Sequence, residues 1–185
     1  GKISKKISLF LQITFFSVLY LSCYSQKSTD IQFIENKGQW NENIIFKLPM
    51  HGGDIYFEGG STTFCLYDKS KYGLFKHGEI KDSIINGHTY KMNLENFNPN
   101  FKVIKETPSA HYYNYFIGND KSKWKGDVKS YQQVYLQDIY NGIDQIFYGY
   151  YDKTKYDFVV RPEGNPDNIL ISYEGMDKLK IVKGH

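Results

Sequence analysis

From residue 31 onward, apolar and polar side chains alternate with a period near two, the spacing of a strand with one face to a core and one to water. Runs rich in Ile, Val, Tyr, Phe and Thr are separated by Gly, Asn, Asp and Pro. The pattern predicts strands over Ile31–Ile34, Ile44–Leu48, Asp54–Phe57, Thr62–Tyr67, Ile80–Ile85, His88–Leu94, Phe101–Lys105 and Tyr112–Ile117. It continues with Gln133–Leu136, Gln145–Tyr150, Tyr156–Arg161, Ile169–Tyr173 and Leu179–Val182. No stretch carries the 3.6-residue period of a long amphipathic helix. Asn86-Gly87 reads as a type I′ hairpin turn, since both residues tolerate positive φ. It places His88, Tyr90, Met92 and Leu94 on one face and Thr89, Lys91 and Asn93 on the other. A second hairpin is expected at Asp152-Lys153-Thr154. Gly52-Gly53 and Gly59-Gly60 read as turns and not as phosphate cradles, because no helix follows either pair. Many short strands at turn spacings of about ten residues predict an all-β fold, an antiparallel β-sandwich. No internal repeat of fixed period points to a propeller or solenoid. The strand at Leu179–Val182 lacks a following partner, so the domain is expected to extend past His185.

The amino terminus breaks the two-residue rhythm. Lys2, Lys5 and Lys6 precede an apolar run from Ile7 to Leu21, interrupted by Ser8, Gln12, Thr14 and Ser17. That run is short and interrupted for a membrane span and matches a secretion signal, a signal-peptide helix with cleavage expected after Ser25. The expected division is a signal peptide over 1–25 and a β module over 26–185. A second exported reading acylates Cys23 after Tyr20-Leu21-Ser22 and tethers the module to a membrane. Either way the chain is expected outside the cytoplasm, extracellular or on an outer-membrane surface. Without Cys23, Cys65 has no disulfide partner, and its place in Thr62–Tyr67 reads as a small strand residue.

Charge changes the picture little. The chain has 23 basic and 20 acidic side chains, and three of the basic ones lie in the leader, leaving 20 of each sign. A neutral module has no broad pull on nucleic acid or anionic membranes, and no nucleic acid is expected as a partner. The 17 Tyr and 13 Phe suggest a sugar-binding surface. One Ala and one Arg beside abundant Lys, Asn and Ile favour codon composition and strand propensity as the cause.

Several words resemble a known family. They are Phe33-Ile34-Glu35-Asn36-Lys37-Gly38-Gln39-Trp40, Tyr113-Asn114-Tyr115-Phe116-Ile117-Gly118-Asn119-Asp120, Lys123-Trp124, Ile139-Tyr140-Asn141-Gly142-Ile143-Asp144 and Tyr156-Asp157-Phe158-Val159-Val160. Their order resembles the amino-terminal β domain of large Bacteroidetes surface or secreted proteins. There it precedes PKD domains or SBBP β-propeller repeats, in chains exported by type IX secretion and associated with gliding motility. The resemblance implies compartment and neighbouring domains as partners, but no reaction. Pro162-Glu163-Gly164-Asn165-Pro166 departs from the family's Pro-Gly-Ala-Asp-Pro and puts that loop's conformation in question.

The residues able to carry chemistry form no catalytic constellation. His51, His77, His88, His111 and His185 are scattered, with no metal-ligand spacing, and the Asp/Asn-rich stretches lack an EF-hand pattern. No metal, cofactor or catalytic residue is assigned. Trp124, among Lys121, Lys123 and Lys125, is the candidate ligand-binding residue together with Tyr148 and Tyr150. An exposed indole stacks on a sugar ring, whereas one folded over the core is covered by lysine stems. Asp144, Asp157 and Arg161 are candidate structural polar residues, with Asp157 expected to pair with Arg161 or a cross-strand lysine. The leading expectation is a non-catalytic scaffolding or adhesion module, meeting surface glycans or other surface proteins. A carbohydrate-binding module at Trp124 is the second. A hydrolase using Asp144 or Asp157, which needs a pair of carboxylates facing across one sugar, is the third.

Overall fold

The structure is a computed structural model that describes residues 31–68, 71, 74, 84, 86–150 and 153–178. The leader over 1–25, Cys23 and the expected strands Ile80–Ile85 and Leu179–Val182 lie outside the described residues or largely so. Among the described residues the chain forms ten strands: β1 (Phe33–Glu35), β2 (Ile44–Met50), β3 (Gly53–Glu58), β4 (Ser61–Tyr67), β5 (Gly87–Glu95), β6 (Lys102–Tyr115), β7 (Lys125–Tyr140), β8 (Ile143–Tyr150), β9 (Lys153–Val160) and β10 (Leu170–Glu174). Single 3-10 turns cover Lys121–Lys123 and Pro166–Asn168.

All pairings are antiparallel and belong to one hydrogen-bonded sheet, in the order β10-β5-β4-β3-β2-β1-β7-β8-β9, with β6 also on β7. The all-β, antiparallel expectation therefore holds. In place of two separate sheets, one sheet curls over its own face. Five strand spacings separate β5 from β7, about 24 Å in a flat sheet. Yet the Tyr140 hydroxyl donates to the Glu95 carbonyl at 3.0 Å, and the Asn98 amide donates to the Ile139 carbonyl at 2.8 Å. Phe57 of β3 meets Phe147 of β8 edge-on, with ring centroids 4.7 Å apart.

The curl starts at β7. Strand β6 follows one edge of β7 from Lys125 to Gln137. The other edge is shared end to end, by β1 at Ser130 and Tyr131 and then by β8 from Gln133 to Tyr140. One lane thus feeds two diverging half-sheets, whose apolar faces close on Phe33, Phe46, Leu48, Ile55, Val134 and Ile143. Alternation in β3, with Ile55 and Phe57 inward, supplies one wall of this core.

Several local expectations are corrected. Gly87 is not a turn residue but the first residue of β5, paired with Tyr67. A Cβ there would meet the Leu66 carbonyl oxygen at 2.9 Å, so the glycine permits close strand approach. The partner of residues 87–93 is β4. Lys153 and Thr154 lie in β9, and Lys153 already pairs with Tyr150. The runs at Phe101–Lys105 and Tyr112–Ile117 fuse into β6, across a register shift between Pro108 and Tyr112. Pro108 is tolerated because β6 pairs with β7 at the margin of the sheet, where a missing N–H costs little. The Gly59-Gly60 turn between β3 and β4 holds, with φ of 76° at Gly60, whereas the Gly52-Gly53 turn shifts by one: β2 and β3 join at His51-Gly52, with φ of 96° at Gly52, and Gly53 opens β3.

Candidate functional site

The word that opens the module folds into a loop tied by its own side chains. The Asn36 amide donates to the carbonyls of Asn41 and Ile44, both at 2.8 Å, while its oxygen accepts from Gly38 N at 2.9 Å. Gln39 donates to the Glu35 carbonyl and accepts from Lys37 N, both at 2.7 Å. Gly38 takes φ of 104°, which L side chains resist. The sequence marks Asn36 and Gln39 as polar organisers only through a short Asn-x-Gly stretch after a strand.

Glu35, just before this loop, is buried. It accepts from Lys105 Nζ at 2.6 Å, Lys129 N at 3.1 Å and the Tyr131 hydroxyl at 3.4 Å. Burial acts to raise its pKa, but hydrogen bonds from Lys105 and the Lys129 amide, with the Lys105 charge, prevail and hold it below the ordinary carboxylate value. This carboxylate joins β1, β6 and β7, and its role could not be read from its spacing.

The Arg161 cluster fastens the other end of β7. The guanidinium donates to Asp138, to Asp144 at 2.6 Å and to Glu163 at 2.9 Å. Asp144 also accepts the Asp138 amide at 2.8 Å. Asp138 sits with φ of 57° in the β7 irregularity, so two carboxylates from neighbouring strands converge on one cation. The hydrogen bonds that Arg161 donates to Glu163, Asp144 and Asp138 raise its pKa further, and Arg161 in turn lowers that of Glu163. Backbone closes the arrangement: Arg161 N donates to the Gly142 carbonyl at 2.9 Å and Gly164 N to the Arg161 carbonyl at 2.8 Å.

Asp157 is not in this cluster. It is exposed and accepts from the Tyr148 hydroxyl at 2.7 Å, not from Arg161. The reason is distance along the strand: Asp157 shares the Arg161 face but lies four residues away, roughly 13 Å, opposite Ile146, whereas Asp144 lies opposite Val159, two residues nearer. Asp144 is ion-paired to Arg161 and Asp157 is held by Tyr148, so the two serve different neighbours. Tyr150 lies at the end of β8, paired with Lys153. Trp124 is not beside Tyr148. Tyr148 pairs with Gln133, nine residues along the chain from Trp124, roughly 30 Å at the rise of a strand.

Trp124 instead completes the tip of the β6–β7 hairpin. Its indole N–H donates to the Gly118 carbonyl at 3.1 Å, Phe116 packs 6.0 Å away, and Lys121 Nζ lies 5.7 Å over the ring. Asp120 shapes the tip by accepting from Ser122 N at 3.0 Å and Ser122 Oγ at 2.6 Å. The structure brings the two most specific sequence words together here. Trp40 meets Tyr115 edge-on at 5.2 Å, and Lys37 Nζ reaches the carbonyls of Gly126 and Asp127 at 3.3 Å. This end of the module, with its aromatic side chains and lysines, is the candidate contact surface. Cys65 is a free, half-buried residue of β4. Among the described residues no group of His, Cys, Asp and Glu is arranged to hold a metal.

A cleft of about 380 Å³ lies elsewhere, between Asn43, Glu58, Gly59, Phe97, Pro99 and Phe101. Its carboxylate is engaged, since Glu58 accepts from Ser61 Oγ at 2.8 Å and Lys91 Nζ at 2.7 Å. No curated protein and no solved structure matches the chain. A family model matches residues 33–185, which include every described strand, and the chain belongs to that family, the domain of unknown function DUF7948.

Proposed function

We propose that this chain is a non-catalytic β module of a larger exported protein, with a scaffolding or adhesion role at the cell surface or in the secreted state. The observation that supports it most is the use of its charged groups. Arg161 draws Asp138, Asp144 and Glu163 into a clasp across β7, β8 and β9, and Glu35 binds three strands. Carboxylates used in this way cross-link strands and do not face one another across a substrate. The finer architecture we propose is sandwich-like, with β2–β3 and β7–β8 as facing layers. The leader over 1–25 and the sequence words support export by the type IX route in Bacteroidetes, ahead of PKD or propeller domains.

Immunolabelling of intact, unpermeabilised cells, with the medium assayed in parallel, tests this reading. Signal on the surface or in the medium is expected; signal only after permeabilisation overturns it. The carbohydrate-binding alternative gains little from Trp124, whose ring is flanked by Phe116 and Lys121. A glycan array read with Trp fluorescence decides between the two.

A further inference from the structure

The β6–β7 hairpin ends in an apolar knob. Ile117 is 77% exposed, Phe116 59% and Trp124 37%, and the three lie within one nine-residue connection. Exposed aliphatic and aromatic side chains grouped at one tip are unusual for a soluble surface and mark a contact site. Lysines surround the knob. Lys121 lies over Trp124, Lys125 Nζ donates to the Ser122 carbonyl at 2.8 Å, and Lys37 reaches across from the neighbouring loop. Among the described residues the ion pairs engage Lys129, with Asp127 at 2.7 Å, and leave Lys37, Lys121, Lys123 and Lys125 outside any pair. Five lysines thus stand beside two aspartates, Asp120 and Asp127, in a module whose charges balance as a whole.

We propose that this tip is a peripheral docking site for an anionic lipid bilayer. Phe116 and Ile117 enter the boundary between headgroups and acyl chains, Trp124 lies at headgroup level, and Lys121, Lys123 and Lys125 meet lipid phosphates. Three observations favour lipid over an acidic glycan. Ile117 is the most exposed of the three and offers no stacking face for a sugar. The Trp124 ring is flanked by Phe116 and Lys121. Its indole N–H is already given to Gly118, which leaves the side chain suited to an apolar setting. Unpaired lysines around apolar side chains complement a surface that is negative outside and apolar beneath.

The test is sedimentation of the full chain with vesicles of phosphatidylcholine and phosphatidylglycerol in equal parts. Each variant is compared with the parent, so the amino-terminal apolar stretch contributes equally to both. Ile117→Ser is expected to weaken binding at least about tenfold, from lost apolar burial. Lys121→Gln with Lys123→Gln should weaken it about 25-fold, near fivefold per lysine. Brominated lipid should quench Trp emission in the parent, and Trp124→Phe should remove most of that quenching. Circular dichroism and thermal midpoints matching the parent exclude misfolding, since all these positions are exposed. Unchanged binding by Ile117→Ser overturns the proposal, as does quenching that survives Trp124→Phe. If soluble dextran sulfate is bound as tightly and independently of Ile117, the tip captures polyanions and lipid docking is refuted.

Discussion

Replacing Glu35 offers the sharpest test of how the curled sheet is held. In Glu35→Ala the Lys129 amide loses its acceptor between the fully buried Val128 and Ser130. A buried donor left without a partner costs about 1–3 kcal/mol. Two further bonds, from Lys105 and Tyr131, are lost, but the half-exposed Lys105 ammonium can turn back to water. The sum is about 3 kcal/mol, or a fall in Tm of roughly 6–12 °C for a domain of this size. Glu35→Gln keeps an acceptor for Lys129 and loses the charge, so its cost near neutral pH should be about 1 kcal/mol.

The pH dependence separates these effects. The fold holds the Glu35 pKa below its ordinary 4.5. A depressed carboxylate pKa contributes stability that is fully present above the unfolded value and fades as pH falls through the folded value. The stability gap between parent and Glu35→Gln should therefore be constant above about pH 5.5 and shrink below pH 4.5. Urea unfolding followed by Trp fluorescence, from neutral pH downward, measures it. A gap that stays constant or widens in acid refutes the assignment of Glu35 as the charged tie between β1, β6 and β7.

Three other outcomes are expected. Arg161→Gln leaves Asp138, Asp144 and Glu163 facing one another; it should lower Tm at neutral pH and recover part of the loss in acid, and an unchanged Tm would contradict the clasp. Gly142→Ala should cost at least ~2 kcal/mol, because φ is 73° and the new Cβ would lie 2.7 Å from Gly164 N; a Tm equal to the parent's counts against the backbone crossing. Gln145, 2% exposed, holds a side-chain nitrogen buried without a hydrogen-bond partner among the described residues. Gln145→Met should raise stability by about 1 kcal/mol in chemical denaturation, and a loss would mean that the amide is satisfied.

Strand content, much of the strand placement and the turns at Gly52 and Gly59-Gly60 were legible in the amino-acid sequence, because alternation and positive-φ residues act locally. Ile55 and Phe57 face inward in β3 as their spacing requires. The sequence left open how strands far apart in the chain combine. Nothing in the run from Lys125 to Tyr140 announces that β1 and β8 share one edge of β7, yet that sharing curls the sheet. The same holds for the polar ties. Local composition suggested Asp157 as a partner for Arg161, but register gave Arg161 to Asp138 and Asp144, which lie far from it in sequence. The tip shows the division most clearly. Trp124 and its lysines were visible as a basic aromatic stretch, whereas their distance from Tyr148 and closeness to Lys37 were not. Pairing between remote strands is a cooperative choice among many registers of similar local merit, and only closure of a shared core selects one.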